Sequence, residues 1–449
     1  MYNSAVNEVE IMRTLSILAT KVSASILHLF GRGGSLPGTI GLKIDKDILR
    51  SLHYSGPIIL VTGTNGKTST ANMICDLLSY SGYHVISNRK GDNLKPGIVT
   101  TIVTNTSLFG NVKANVIVLE VDELNIRHIL PNIPVSALVV TNFFRDQLDR
   151  AMEMERLISS IESVLPDYDK ELILNENDPN VMRLALQAPK AHVTGYGLSK
   201  NKYSVLTTRE ASEGKFCPKC GANLDYEYYQ YSHIGKFHCM KCDFKTEELD
   251  VNLTDIDLNR QIFYYNDHKF NNPYEGMYSM YNAAAVLAVS KYLDIDPSYV
   301  EKVFKNAPQP KGRNEKFDAN GQKAVLNLIK NPTGANEVMK VIEMDPSKKN
   351  ICIVLNDNDQ DGTDVSWIYD TFFEKLLTDS TKQIICSGLR ANDMALRLYY
   401  SGYKGNLLVE EDIEKAVRDS ITPDATTYAI ATYTALLPTR AAILKGLNL

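Results

Sequence analysis

Residues 61 to 69 constrain the fold most, because an apolar run ending at Leu60 leads into the string Val-Thr-Gly-Thr-Asn-Gly-Lys-Thr-Ser, which begins a helix-like segment. A strand that ends in a glycine-rich turn and continues as a helix directs backbone N–H groups toward one point, where they can hold a phosphate chain. Lys67 would neutralise the phosphates and the Thr68 hydroxyl would help to hold Mg²⁺. Val61 stands where the general pattern has a glycine, so a turn without a nucleotide remains the alternative. The predicted binding residues are Gly63, Thr64, Asn65, Gly66, Lys67, Thr68 and Ser69.

From residue 57 to about 200, β-rich apolar runs alternate with helical patterns, which is the order of a parallel α/β sheet. A break at 308–312 is followed by four further strand-like runs, which predict a second α/β domain. Ligands of such sheets bind at the carboxyl ends of the strands. We therefore predict three segments: an N-terminal helix and linker (1–40), a central ATP-binding domain (41–310) with an inserted module at 203–262, and a C-terminal α/β domain (311–449).

The N-terminal segment carries apolar residues at intervals of three and four, which predicts an amphipathic helix. Such stripes are usually part of a core. We therefore expect this one to pack on the rest of the chain, with peripheral membrane contact as the less favoured alternative. The stripe consists of Ile11, Leu15, Leu18, Val22, Ile26 and Phe30.

The inserted module contains two Cys-x-x-Cys pairs separated by 18 residues, the spacing of a four-thiolate zinc ribbon. Four thiolates leave no coordination position open for a substrate, so we predict a structural Zn²⁺. The ligands would be Cys217, Cys220, Cys239 and Cys242. The three other cysteines lie in apolar stretches and are expected to be reduced and buried.

Acidic residues follow three of the predicted strands. Glu120 ends the run that starts at Val116 and could hold Mg²⁺ together with Thr68; a solvated acidic turn is the alternative. Residues 141–150 combine amide, acidic and basic side chains. The densest run, 356–364, begins like a calcium loop but has Ile368 at the position of the bidentate glutamate. We interpret it as a loop that positions or activates a partner group.

Composition excludes several classes of function. The 449 residues carry a formal net charge of −5, without the basic excess that nucleic-acid binding usually needs. No apolar run approaches the ~18 residues of a membrane span, and the N-terminus lacks the order of a secretory signal. We expect a cytoplasmic protein.

Several motifs taken in order resemble those of the Mur ligase superfamily, ATP-dependent enzymes that join a carboxylate to an amine. They span roughly residues 40–445: GTNGKTS, LEVDE (119–123), TNFFRDQLDR (141–150), LNENDP (174–179), YNAA (281–284) and GRNE (312–315). The resemblance implies that Lys67 and Thr68 bind phosphates and magnesium, and that Glu120 binds magnesium. It also implies that Asn142 and Asn282 lie on the adenine side, with Arg313 near the domain junction.

Three departures from the typical family pattern indicate which branch of the superfamily the sequence resembles. Only about 55 residues precede the phosphate loop, too few for the domain that holds a uridine diphosphate sugar in typical members. Gln147 stands where the family has a magnesium-binding histidine, and no lysine between 151 and 169 could be carbamylated. With the cysteine ribbon and the strings at 357–367 and 387–394, these departures resemble the branch formed by synthetase subunits of lipid II isoglutaminyl synthases.

That branch implies ATP-dependent amidation of the α-carboxylate of D-glutamate in the lipid II stem peptide, at the inner face of the plasma membrane. It also implies a heterodimer with a GatD-type glutaminase that supplies ammonia. An aspartate of the synthetase would complete the glutaminase triad, and we expect Asp357 first and Asp361 second. Three alternatives remain: a folylpolyglutamate synthase, disfavoured by Thr68 and the ribbon, another Mur-type amide ligase, and an inactive ATP-binding regulatory protein.

Overall fold

The computed structural model describes residues 2–29, 34–89, 92–144, 154–208, 213–308 and 311–449. Two helices, α1 (Tyr2–Leu29) and α2 (Ser35–Ile44), precede the first sheet and pack on each other. The two helices approach closely at Gly41. A Cβ atom added there would lie only 2.2 Å from Oγ1 of Thr20. The Ser16 hydroxyl donates to the carbonyl of Gly41 at 2.9 Å. Small side chains on α1 therefore form the face that contacts α2.

The apolar stripe of α1 faces outward, so the expectation that it packs on the chain is wrong. Its five residues within the described part of the chain are 47–57% exposed: Ile11, Leu15, Leu18, Val22 and Ile26. By contrast, Ile17 between them is fully buried. The physical reason is the short distance to α2, which only small side chains permit. Among the described residues, no helix combines the length and apolarity needed to cross a membrane.

The central domain is built on a nine-stranded sheet whose first part alternates strands and helices as predicted. The strands are β1 (Ile58–Thr62), β2 (Val85–Ser87), β3 (Val116–Glu120), β4 (Ala137–Val140), β5 (Glu171–Asn175) and β6 (His192–Leu198). The helices are α3 (Lys67–Tyr80), α4 (Lys95–Thr104), α5 (Ile126–Ile129), α6 (Met154–Glu162) and α7 (Pro179–Leu186).

A separate two-stranded sheet follows, formed by β7 (Leu224–Tyr231) and β8 (Ile234–Cys239), which pair antiparallel. We call this pair the ribbon hairpin. The chain then returns to the large sheet at residue 251. Residues 251–262, which we had assigned to the insertion, therefore belong to that sheet and begin three strands that extend one side of it. These elements are β9 (Val251–Asp257), β10 (Ile262–Tyr265), β11 (His268–Asn271), α8 (Met277–Tyr292) and α9 (Pro297–Asn306).

The strand order of the large sheet is β11-β10-β9-β6-β5-β4-β1-β3-β2, and all neighbours from β9 to β2 run parallel. Alternate residues of β1 face opposite layers, because side chains alternate along a strand. Ile58 and Leu60 join a core with α4, α5 and α6, while Ile59 and Val61 join one with α3 and α8. β1 is thus buried on both faces, and its carboxyl end opens into the site.

The C-terminal domain has a six-stranded sheet in the order β12-β13-β17-β14-β15-β16, parallel except for the β12/β13 pair. All four strands predicted there are present. Its elements are β12 (Glu315–Ala319), β13 (Gln322–Leu328), α10 (Pro332–Met344), β14 (Lys349–Val354), β15 (Thr381–Ser387), α11 (Ala391–Tyr400), β16 (Asn406–Val409), α12 (Ile413–Ser420), β17 (Thr426–Ala431) and α13 (Tyr433–Leu447).

Candidate functional site

The loop between β1 and α3 has the conformation expected of a phosphate loop. Gly63 and Gly66 adopt positive φ angles of 120° and 87°, a region that favours glycine. A Cβ atom at Gly63 would lie 2.3 Å from Oγ1 of Thr141, and one at Gly66 would lie 2.3 Å from Oδ1 of Asn282. The loop therefore passes directly against the end of β4 and against α8, and glycine is required at both positions.

Asn142, which follows β4, hydrogen-bonds the phosphate loop. Its Oδ1 accepts the backbone N–H of Asn65 at 2.9 Å, and its Nδ2 donates to the Asn65 carbonyl at 3.0 Å. The backbone N–H of Thr64 donates to the Asn142 carbonyl at 2.8 Å. We had placed Asn142 on the adenine side of the nucleotide. The structure brings it to the cavity described below, where it also fixes the shape of the loop.

The Lys67 ammonium lies inside the phosphate loop. It donates to the carbonyl of Gly63 and, at 3.2 Å, to Oε1 of the buried Glu123. Burial alone would lower the pKa of Lys67, but the carboxylates of Glu123, Glu120 and Asp122 outweigh burial and raise it. A fixed positive charge therefore sits where the phosphates of a nucleotide would be held.

The residues proposed for magnesium lie at the same edge of the sheet. Glu120 is paired in register with Val61, the residue two places before Gly63, and is 6% exposed. Its Oε1 accepts a hydrogen bond from Nδ2 of Asn93 at 3.0 Å. Thr68 is exposed at the start of α3. A carboxylate and a hydroxyl oxygen beside a phosphate site suit Mg²⁺, so these residues fit the ion.

A cavity of about 90 Å³ opens beside the loop, between the central and C-terminal domains. It brings together five predicted residues, namely Asn65, Gly66, Asn142, Asn282 and Arg313. Nδ2 of Asn282 is buried and has no hydrogen-bond partner among the described residues. Such a donor is costly unless a ligand or water accepts from it. This feature fits a polar ligand such as a nucleotide.

Sequence reasoning missed most of the C-terminal contribution to this cavity. Its other lining residues are Phe144, Tyr231, Tyr278, Asn327, Leu328, Lys330, Thr333, Gly334, Glu337 and Val338. A signal existed in the string Lys330-Asn-Pro-Thr-Gly334, which follows β13 and begins α10 with the Asn331 side chain accepting from Gly334 N–H at 2.8 Å. Polar residues that follow a parallel strand lie where ligands bind, as those after β1 and β3 do.

The four predicted zinc ligands meet at the base of the ribbon hairpin. Their sulfur atoms all lie within 4.8 Å of one another, with Cys217 and Cys242 3.6 Å apart and Cys220 and Cys239 3.4 Å apart. A tetrahedral zinc with Zn–S bonds of about 2.3 Å needs sulfur separations of about 3.8 Å. The arrangement therefore fits a zinc ion.

The two acidic candidates of the C-terminal loop differ in environment. Asp361 is 2% exposed, and its carboxylate accepts from both the backbone N–H and the hydroxyl of Thr434. The Asp357 side chain is 27% exposed beyond β14, with Oδ2 3.7 Å from Nε of Arg390. Asp357 is the one of the pair whose carboxylate is available at the surface.

Some predicted features lie outside the described residues, namely Gln147 and the charged residues of 145–153.

Comparison with known families agrees with the fold. A model of the Mur ligase middle domain matches residues 61–290, and a model of the MurT ligase C-terminal region matches residues 328–436. A solved pseudomurein peptide ligase type C from Methanothermus fervidus has the same fold, with a TM-score of 0.65 and 21% identity over 89% of this chain and 80% of that one. The fold and the phosphate loop thus define an ATP-dependent ligase of the Mur type.

Two relatives that match this chain over nearly their whole length identify the family within the Mur-type ligases. The MurT subunit of lipid II isoglutaminyl synthase (glutamine-hydrolyzing) from Staphylococcus aureus strain COL is 34% identical over 94% of this chain and 95% of its own length. The corresponding subunit from Streptococcus pneumoniae is 33% identical over 95% and 96%. The chain belongs to the MurT family. This membership decides against the folylpolyglutamate synthase alternative.

Proposed function

We propose that the chain uses ATP to amidate the α-carboxylate of D-glutamate in the stem peptide of lipid II, giving D-isoglutamine in peptidoglycan synthesis. Ammonia would come from a GatD-type glutamine amidotransferase bound as the second subunit of a heterodimer. The observation that carries the proposal is the identity to MurT subunits over nearly the whole length of both chains.

The arrangement of the site supports the first half-reaction. A carboxylate oxygen of the substrate forms a bond to the γ-phosphorus of ATP while the bond to the bridging oxygen breaks and ADP leaves. Lys67 would neutralise the phosphates, and Thr68 with Glu120 would hold the Mg²⁺ that the phosphates share. Asn65, Asn142, Asn282 and Arg313 would surround the rest of the nucleotide in the cavity.

In the second half-reaction, ammonia attacks the acyl carbon, a C–N bond forms, and phosphate leaves with its C–O bond electrons. A small nucleophile of this kind needs no pocket for an amino acid. The protein would act in the cytoplasm at the inner face of the plasma membrane, where a lipid-linked substrate is accessible.

Asp357 is the proposed link to the glutaminase. A carboxylate that orients a histidine completes a nucleophile–histidine–acid triad. Asp357 is suited to this role because it follows a rigid strand and is accessible, whereas the carboxylate of Asp361 is occupied by Thr434. We therefore favour Asp357 as the residue that reaches the partner.

The first test measures D-isoglutamine formation on lipid II by the purified chain with ATP and Mg²⁺. Glutamine with a GatD-type partner, or ammonium alone, supplies the nitrogen. We expect Lys67→Ala to abolish turnover from both sources, because both need the acyl phosphate. Asp357→Asn should lose only the glutamine-dependent route.

Asp359→Asn serves as the matched control, because it removes the same charge from the same loop. It should retain both routes if one carboxylate, rather than the net charge of the loop, activates the partner. Absence of D-isoglutamine from either nitrogen source with the wild-type chain and its partner would overturn the proposal.

A further inference from the structure

The tip of the ribbon hairpin, residues 231–234, reaches the cavity between the two domains. We propose that this tip is a working part of the nucleotide site, in which Tyr231 contacts the nucleoside and His233 is a positioning residue for the phosphate loop. The inference rests on the proposed function in one respect, namely that the cavity binds ATP. It assigns to the ribbon a role beyond holding its own fold.

Tyr231 supplies an aromatic wall. It lines the cavity and is 3% exposed, with its ring centroid 5.9 Å from that of Phe144 and 5.7 Å from that of Tyr281. Phe144 lines the same cavity and belongs to the segment that follows β4. Aromatic rings stabilise a nucleobase by stacking, irrespective of its hydrogen-bonding pattern. The nucleoside part of ATP is therefore the group that this wall fits.

His233 is buried behind that wall. Its Nε2 lies 3.2 Å from Oδ1 of Asp178, its Nδ1 lies 3.9 Å from Oε2 of Glu213, and its ring centroid lies 4.8 Å from that of Phe144. Burial alone would lower the pKa of His233, but the two carboxylates outweigh it and raise the pKa. The imidazole thus joins the hairpin to two buried acids on other segments of the central domain.

Asp178 connects His233 to the phosphate loop. Its Oδ2 accepts the backbone N–H of Phe143 at 2.9 Å, and Phe143 directly follows Asn142, which hydrogen-bonds both backbone groups of Asn65. The hairpin is held against the same region by a hydrogen bond from Gly235 N–H to the Asn177 carbonyl at 2.8 Å. A displacement of the tip would therefore be transmitted to the phosphate loop through Asp178 and the segment 142–143.

The cysteine cluster determines whether the tip can keep this position. An isolated two-stranded hairpin is marginally stable in water. The cluster at the opposite end, which includes Cys239 at the end of β8, would fix the hairpin when zinc is bound. Zinc would then support nucleotide binding without any contact with the nucleotide.

The test measures the affinity of each variant for Mg-ADP by titration calorimetry, together with bound zinc and the thermal unfolding temperature. Tyr231→Ala should weaken Mg-ADP binding about 10-fold, through loss of stacking. Tyr231→Phe should bind like the wild type. His233→Leu should weaken binding, with partial rescue by His233→Gln, which can still hydrogen-bond Asp178. The control is His268→Gln, a half-exposed histidine at the beginning of β11 in the same domain.

A separate arm removes zinc from the wild-type protein with a zinc-selective chelator in excess Mg²⁺, before the Mg-ADP titration. We expect nucleotide affinity to fall and to recover when zinc is restored. In steady-state assays, Tyr231→Ala should raise the KM for ATP about 10-fold and leave kcat nearly unchanged, which a general loss of folded protein would not do.

The possible outcomes separate the two proposals. Unchanged Mg-ADP affinity in folded, zinc-loaded Tyr231→Ala and His233→Leu, or in the zinc-free wild type, overturns this inference and leaves the proposed function intact. Failure of the wild type itself to bind Mg-ADP overturns the proposed function. If His233→Leu does not fold, Tyr231→Ala and the zinc-removal arm still decide the inference.

Discussion

Gly66 and Gly82 have nearly the same φ angle, 87° and 88°, but different surroundings. A Cβ atom at Gly66 would meet Asn282 at 2.3 Å, whereas one at Gly82 would meet nothing within 4 Å. Gly82→Ala should therefore lower the free energy of unfolding by about 1–2 kcal/mol, which is the cost of placing alanine in the left-handed conformation. Gly66→Ala should cost more and should abolish Mg-ADP binding. Denaturant unfolding measures the stability of each variant, and calorimetry measures its affinity for Mg-ADP. Equal effects of Gly66→Ala and Gly82→Ala on these two quantities would contradict the role of Asn282.

At the scale of single residues, the sequence predicted those positions at which the chemistry permits only one or two residue types. The four cysteines were predicted from spacing alone, and the structure brings their sulfur atoms within 4.8 Å of one another. The loop 63–69 was also predicted from its residue pattern, and Gly63 and Gly66 have positive φ angles there. The double hydrogen bond between Asn142 and Asn65 was not predictable, because it depends on how β4 lies beside β1. The two aspartates 357 and 361 look alike in sequence, and only the contact of Asp361 with Thr434 distinguishes them.

At the scale of elements, α1 shows that a periodic apolar stripe does not determine which face is buried. Ile17 is fully buried, while its neighbour Leu18 is 47% exposed. Ile17→Ala should lower the free energy of unfolding by about 2–4 kcal/mol, as truncation of buried aliphatic side chains does. Leu18→Ala is the matched control and should stay within about 0.5 kcal/mol. A comparable loss in both variants, measured by chemical denaturation, would mean that the stripe packs on the chain after all.

The pattern failed for α1 because periodicity reports which residues are apolar, not how closely the helix approaches its neighbour. The contact with Gly41 leaves room only for side chains as small as those of Ser16 and Thr20. The sheets were easier to predict, since a strand buried on both faces is apolar along nearly its whole length. β1 and β3 are apolar up to their last residues, Thr62 and Glu120, and both were identified.

At the scale of the whole molecule, the two domains meet over the phosphate loop. Nδ2 of Asn331 lies 3.5 Å from Oδ1 of Asn65, and Lys330 beside it lines the cavity. Lys330→Ala should weaken Mg-ADP binding about 10-fold, equivalent to about 1.4 kcal/mol, because a cation near the phosphates is lost. The stabilisation conferred by saturating Mg-ADP should fall by the same amount.

Lys323→Ala is the control for that variant, since Lys323 is exposed near the beginning of β13, the strand that Lys330 follows. Thermal unfolding with and without Mg-ADP provides the readout. If both variants keep the ligand-induced shift of the wild type, the C-terminal domain does not contribute to nucleotide binding.

The sequence by itself determined the local chemistry of this protein: a strand–loop–helix unit for phosphates, a four-thiolate cluster, two α/β domains and the resemblance to Mur ligases. These features depend on residues close together in the chain, where spacing fixes geometry. Only the tertiary structure decided which face of α1 is buried, which aspartate remains accessible, and that the ribbon hairpin and β13 both reach one cavity. Those outcomes depend on contacts between residues far apart in sequence, and no local pattern records such contacts.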